Sequence, residues 1–198
     1  MSRNKKLVII TGITMAGKTS TAKALVEKIQ TEGVAVKLLK ETTTRPKRES
    51  DYNNPEYNFV TTEEYKQKDF LVSVDFKVSN GDIWSYGIEN QNFPDLGIIV
   101  SNMYAVDSLL TNPLPDDLDV IIFYLSVSEE EALKRDRGDR LSQKGDDVIE
   151  RIKRDINKYN AFYEKHENYI YEIYCNNTPL KEVVDCIYYH LIRKQKNF

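Results

Sequence analysis

Little in this chain belongs to the classes that composition alone gives away. Cysteine occurs twice among 198 residues, at Cys175 and Cys186. That is too few for a disulfide framework, and the spacing is not that of a metal site. With no leader-like segment at the start, a reducing, cytoplasmic setting is the expectation. No apolar run approaches the roughly 18 residues of a membrane span. The net charge is only −3, which argues against a broad nucleic-acid surface and leaves room for a local basic cleft. Internal repeats, low-complexity tracts and long linkers are absent as well. What remains is a single domain able to bury a sizeable core, with room for one or two inserted subdomains. Its 40% apolar and 30% charged residues are ordinary for a globular enzyme.

The chain is organised around Gly12-Ile13-Thr14-Met15-Ala16-Gly17-Lys18-Thr19. An apolar run, Leu7-Val8-Ile9-Ile10, precedes it, and a helix-like segment from Ser20 to Gln30 follows. Strand, glycine loop and helix together make G-x-x-x-x-G-K-[ST] a phosphate-binding loop. The glycines let successive amides face one concave site, and the helix adds its positive end. Gly12, Thr14, Ala16, Gly17, Lys18, Thr19 and Ser20 are therefore the expected ATP-binding residues. Lys18 would reach the β- and γ-phosphates, and the Thr19 hydroxyl would sit on Mg²⁺.

Strand-like runs at residues 5–11, 34–39, 96–100, 120–125 and 169–174 alternate with helix-like segments at 20–31, 104–110, 148–166 and 180–194. That alternation predicts an α/β fold with a parallel sheet. Ser128, ahead of three glutamates, is a good N-cap. Residues 41–55 read as a polar loop. Residues 57–60 read as a short strand and 62–65 as the start of a short helix. Asn80-Gly81-Asp82 turns residues 70–78 into 83–88 as a hairpin. The region 57–88 is thus an antiparallel-looking insert.

Two basic constellations stand out. Arg45 and Arg48, three apart behind Thr43-Thr44, can converge on one phosphate through their fixed fork of donors. Taken alone, most such pairs are solvated basic turns; behind a phosphate loop the balance shifts, since a second anion site is what a phosphoryl-transfer enzyme needs. Arg135, Arg137, Arg140, Arg151 and Arg154 form the other group. They read either as a charged helix face or as a lid that excludes water and stabilises the transferring phosphoryl group. His166 and His190, in helices near the C-terminus, read as packing or surface residues, and the two cysteines as inert thiols.

With these parts in order, the sequence resembles the guanylate kinase family of P-loop nucleoside monophosphate kinases over nearly its whole length. The motifs that carry the resemblance are the P-loop, T-T-R-x-x-R at residues 43–48, Glu56-Tyr57-Asn58-Phe59, Tyr86-Gly87 and V-x-x-R-I at 148–152. It implies a P-loop NTPase-type parallel sheet with flanking helices, a small mixed-β insert that binds the nucleoside monophosphate, and a helical lid. The implied boundaries are 1–40, 96–133 and 155–198 for the core, 41–95 for the insert and 134–154 for the lid. It implies that Arg45, Arg48, Tyr57 and Tyr86 hold the acceptor phosphate, with Thr44 and Gly87 beside them. Arg137, Arg140 and Arg151, with Lys18, would serve catalysis at the donor phosphates, and Asn176 would lie beside the donor adenine.

The sequence departs from the family where guanine is read. Glu41 replaces an expected serine, Asp75 aligns with the base-reading glutamate, Ile88 replaces a threonine, and Ser101-Asn102 replaces an expected aspartate. An ionised glutamate only accepts hydrogen bonds. It would repel guanine O6 and suit an exocyclic amine, as on cytosine or adenine, or a hydroxyl on a modified base. The expected activity is transfer of the ATP γ-phosphoryl group to a nucleoside or deoxynucleoside monophosphate, with ATP and Mg²⁺ as cofactors. Glu41, Asp75 and Ser101 are the candidate base readers. No membrane or nucleic-acid partner is expected, and a homodimer stays open. The Tyr86-Gly87-Ile88 and Val100-Ser101-Asn102 stretches also look faintly like the ribose bisphosphokinases. A non-catalytic guanylate-kinase-like binding module is the rival from another class, against which the retained lysine and arginines argue.

Overall fold

Leu7 to Gly12 are all buried, as expected of a strand covered on both faces. These residues lie in β1 (Lys5–Gly12), the middle strand of a five-stranded sheet. The computed structural model describes residues 4–47, 49–53, 57–78, 81–90, 94–135 and 148–195. Beside β1 lie β7 (Leu96–Val100) and β8 (Leu118–Ser126), with β2 (Lys37–Leu38) and β9 (Ile170–Tyr174) outermost. Every pairing in this sheet is parallel. The order β2-β7-β1-β8-β9 therefore requires crossover connections: helices supply those from β1 to β2, β7 to β8 and β8 to β9, while the chain from β2 to β7 runs through a second sheet.

Helix α1 (Lys18–Thr31) buries Thr21, Ala22, Leu25, Val26 and Ile29, a stripe at helical spacing. It packs on β1, β2 and β7 and against α7 (Leu180–Gln195). Helix α6 (Val148–His166) is fixed by Tyr159, which stacks on Tyr124 of β8 with ring centroids 4.0 Å apart. Ser128 caps α5 (Glu129–Lys134) by accepting from the Glu131 amide at 3.2 Å. Buried His166 sits 2.6 Å from Asp107 of α4 (Met103–Thr111), a structural contact. Burial pushes the Cys175 thiol up to about 11, so it stays protonated.

A second, four-stranded sheet is formed by β3 (Glu41–Thr43), β4 (Tyr57–Phe59), β5 (Phe70–Lys77) and β6 (Ile83–Glu89), in the order β4-β3-β6-β5. β5 and β6 pair as the expected hairpin, while β3 and β4 are parallel. A capping box at Thr61 and Glu64 starts α3 (Thr62–Lys66).

Two expectations are corrected. Residues 41–55 are not all loop: they hold β3 and the short helix α2 (Glu49–Asn53). Three residues are too few to show alternation, and β3 exists because β4 and β6 supply its partners. The strand expected over 34–39 pairs only at Lys37 and Leu38, and Val34 is left exposed. Among the described residues, no helix is long and apolar enough to cross a membrane.

Candidate active site

The loop after β1 bends through Gly12, Met15 and Gly17, all at positive φ. A Cβ on Gly12 would lie 2.7 Å from the Leu125 carbonyl oxygen, so only glycine lets β1 approach β8 this closely. Met15, at φ 67°, carries a side chain in the left-handed region at a cost of roughly 1–2 kcal/mol. Thr14 donates to Asp155 of α6 from its amide at 2.9 Å and from its hydroxyl at 2.8 Å. Arg135 donates to the Met15 carbonyl at 3.0 Å and to the Cys175 carbonyl at 2.7 Å. Lys18 folds over the loop, its ammonium donating to the Gly12 and Ile13 carbonyls at 3.0 and 2.8 Å. Ala16, Gly17, Thr19 and Ser20 complete the turn into α1, with Ala16 buried and Ser20 exposed. This curvature, with Lys18 at its mouth and Thr19 in the first turn of α1, fits a nucleotide triphosphate tail with Mg²⁺.

At the junction of the two sheets, Ser101 Oγ donates to Glu41 Oε1 at 2.5 Å. Each residue is only 2% exposed. The Ser101 amide also donates to the Ile10 carbonyl, which ties the end of β7 to β1 just ahead of the loop. Burial pushes the Glu41 carboxyl up to about 7, against the pull of the Ser101 hydroxyl and the Lys18 charge. The two departures noted in the sequence are therefore one contact. A hydroxyl was expected at 41 and a carboxylate at 101; the chain holds the same pair of groups exchanged.

Partners in register share a face of a sheet, and successive residues alternate. Glu41 pairs with Tyr57, and Thr43 pairs with Phe59 and Tyr86, so these five share one face. The Tyr57 and Tyr86 rings meet edge to face at 5.8 Å, and the Arg45 guanidinium lies 5.4 Å from Tyr57 and 5.1 Å from Phe59. Arg45 is buried and ion-paired with buried Asp51 of α2 at 2.9 Å. The structure thus brings Arg45, Tyr57 and Tyr86 together. Phe76 joins them, 5.4 Å from Tyr86 and 5.0 Å from Tyr104 of α4.

Asp75 does not join them. It pairs with Ser85, whose hydroxyl it accepts at 2.6 Å, whereas Tyr86 pairs with Val74. Asp75, the residue aligned with the base-reading glutamate, therefore lies on the face of β5 opposite the Tyr57–Tyr86 cluster, as strand alternation requires. Thr44 is tied to β6 in both directions, its amide donating to the Ser85 carbonyl and its hydroxyl accepting from the Ser85 amide. Gly87 makes room for packing: a Cβ there would lie 2.5 Å from Phe70 Cδ1 and from the Tyr65 hydroxyl. Asn176 accepts from the Ser128 amide at 2.8 Å, joining the start of α5 to the end of β9. Arg48, Arg137 and Arg140 lie outside the described residues, and only the backbone of Arg151, on α6, is described.

Sequence reasoning missed Asp51 and Asp155 and left Arg135 out of the site. Asp51, an acid six residues after Arg45 in a basic run, offered a faint signal. Asp155 offered none, since 141 residues separate it from Thr14.

A parallel sheet with a phosphate loop at the end of its middle strand defines a P-loop nucleotide-binding protein. Within that class, the chain is similar to guanylate kinases. The guanylate kinase family model matches residues 4–70. The guanylate kinases of Helicobacter pylori strains J99 and 26695 are each 28% identical over 135 residues. That region is 68% of this chain and 54% of each relative, so the match spans about half the length of those proteins. The fold is that of the solved guanylate kinase from Anaplasma phagocytophilum, with a TM-score of 0.60 over 98% of this chain and 88% of that one at 16% identity.

Proposed function

We propose that the protein transfers the ATP γ-phosphoryl group to a nucleoside monophosphate whose base is not guanine. The observation that carries the reading is the pair of anion-binding constellations, Lys18 in its loop and Arg45 with Tyr57 and Tyr86, on two sheets that meet at the Glu41–Ser101 bond. A phosphoryl donor and a phosphorylated acceptor need one such site each. An oxygen of the acceptor phosphate attacks the γ-phosphorus, the bond to the β,γ-bridging oxygen breaks, and ADP leaves. The acceptor is already anionic, so no general base is required. Lys18 moves from its loop carbonyls to the phosphates; Arg45, with Tyr57 and Tyr86, orients the acceptor. Mg²⁺ held through Thr19 would neutralise phosphate charge as it shifts to the leaving group.

Two features favour a base other than guanine. Asp75 is turned away from Tyr86, and Glu41 presents a carboxylate where the family has a hydroxyl. Once ionised, as it is above about pH 7, that carboxyl accepts from an exocyclic amine and repels a carbonyl. The test is ADP release with ATP·Mg²⁺ against GMP, dGMP, AMP, dAMP, CMP, dCMP, UMP, dUMP, dTMP, 5-hydroxymethyl pyrimidine monophosphates and ribose 1,5-bisphosphate. Cytosine or adenine nucleotides, or a hydroxymethylated pyrimidine, are expected to turn over fastest. GMP as the best acceptor would refute the altered specificity, and silence across the panel would refute the kinase.

A further inference from the structure

The P-loop is gripped from outside at two consecutive residues. On one side a single oxygen of Asp155, Oδ2, accepts from both the amide and the hydroxyl of Thr14. On the other, Arg135 reaches the Met15 carbonyl with one guanidinium nitrogen and the Cys175 carbonyl with the next, while its Nε faces Glu131 at 3.4 Å. Between the grips the chain turns through Met15 at φ 67°. A left-handed residue with a Cβ persists only where its surroundings over-determine it. Asp155 and Arg135 are those surroundings, one anchored on α6 and the other braced against the end of β9.

We propose that Asp155 and Arg135 are positioning residues that hold the Thr14–Met15 turn in its left-handed form, keeping the loop curved for the donor phosphates. The inference rests on reading the loop as the donor-nucleotide site. It assigns Asp155 control over nucleotide affinity through its bonds to Thr14. Asp155 selects the curved loop by accepting two bonds that only this curvature aligns, and Arg135 keeps the following carbonyl turned outward. A glycine at 15 would adopt the same φ without the Cβ clash and would need the grips less.

The experiment is direct titration of a fluorescent ADP analogue with Mg²⁺, alongside thermal melting without nucleotide, on five proteins. These are the wild type, Asp155→Ala, Asp155→Asn, Met15→Gly and the Asp155→Ala/Met15→Gly double variant. Asp155→Ala is expected to weaken binding roughly tenfold, on the scale of the strain in one left-handed non-glycine residue. Asp155→Asn, whose amide oxygen still accepts, keeps most of the affinity. Met15→Gly in the Asp155→Ala background regains most of the loss, which a merely structural role for Asp155 would not produce. If Asp155→Ala fails to fold, Thr14→Ala, which deletes only the hydroxyl grip, is expected to weaken binding by a smaller factor. Lowered melting with unchanged affinity in Asp155→Ala would overturn the proposal, leaving Asp155 as a dock for α6. Equal weakening in the single and double variants would overturn it too. A wild type that binds no nucleotide would instead remove the donor-site reading, and the proposal with it.

Discussion

Glu41 carries the sharpest consequence of any single residue. Its carboxyl is pushed up to about 7 from 4.5 because burial outweighs the Ser101 hydroxyl and the Lys18 charge. A carboxyl raised on folding binds more protons in the native state, so its contribution to stability is present at low pH and is lost as pH rises through the folded value. The shift corresponds to about 3 kcal/mol at most, lost between about pH 4.5 and about pH 7. Glu41→Gln removes the titration. Urea midpoints measured across that range should show the wild type losing stability relative to Glu41→Gln as pH rises; parallel curves would refute the assignment. That Glu41 departs from the family pattern was legible from the sequence, since it stands where a serine was expected. Its partner was not, because nothing local links two residues 60 positions apart. The P-loop was legible because its eight residues are contiguous and each role is local. The face that Asp75 takes was not legible, for the opposite reason: it depends on register, and register is set by the partner strand.

At the scale of elements, two local arrangements hold the four-stranded sheet and its helices together. Helix α2 is tied down by the Arg45–Asp51 pair, both side chains nearly fully buried. Removing one partner of such a pair leaves an uncompensated buried charge and typically costs about 3–5 kcal/mol. Asp51→Ala should therefore lower the urea midpoint by an amount in that range, whereas Arg45→Met/Asp51→Leu should cost far less. A double-mutant cycle without coupling would show the pair to be incidental. On the other face of the same sheet, Gly87 lies under Tyr65 and Phe70, whose rings stack at 4.2 Å. Gly87→Ala must push this pair off β6, and overpacking of that kind costs about 1–3 kcal/mol. The loss should show as a lower melting temperature, and an unchanged one would mean that α3 yields freely. Neither arrangement could be read from the sequence. The Tyr-Gly pair was legible as a motif, but the reason for its glycine lies in α3, some twenty residues earlier in the chain.

At the scale of the whole molecule, the two sheets are separate hydrogen-bonded units that meet where β2 passes into β3 and where Glu41 meets Ser101. The loop with Lys18 belongs to one sheet and the arginine–tyrosine cluster to the other, so a ligand spanning both would tie them together. Anything that binds only the native state adds RT ln(1 + [L]/Kd), about 2.7 kcal/mol at a hundredfold excess over Kd. In a chain of 198 residues, each kcal/mol raises the melting temperature by about 2–4 °C, which gives a rise of roughly 5–11 °C with saturating ATP·Mg²⁺. Lys18 is half-buried, and its ammonium donates to the Gly12 and Ile13 carbonyls where β1 passes into the loop. Lys18→Ala should therefore melt close to the wild type without nucleotide and lose most of the ATP-induced rise. The comparison separates fold from function in one experiment. A variant that melts far lower without nucleotide would make Lys18 a structural brace, and one that keeps the full rise would move the donor phosphates away from this loop.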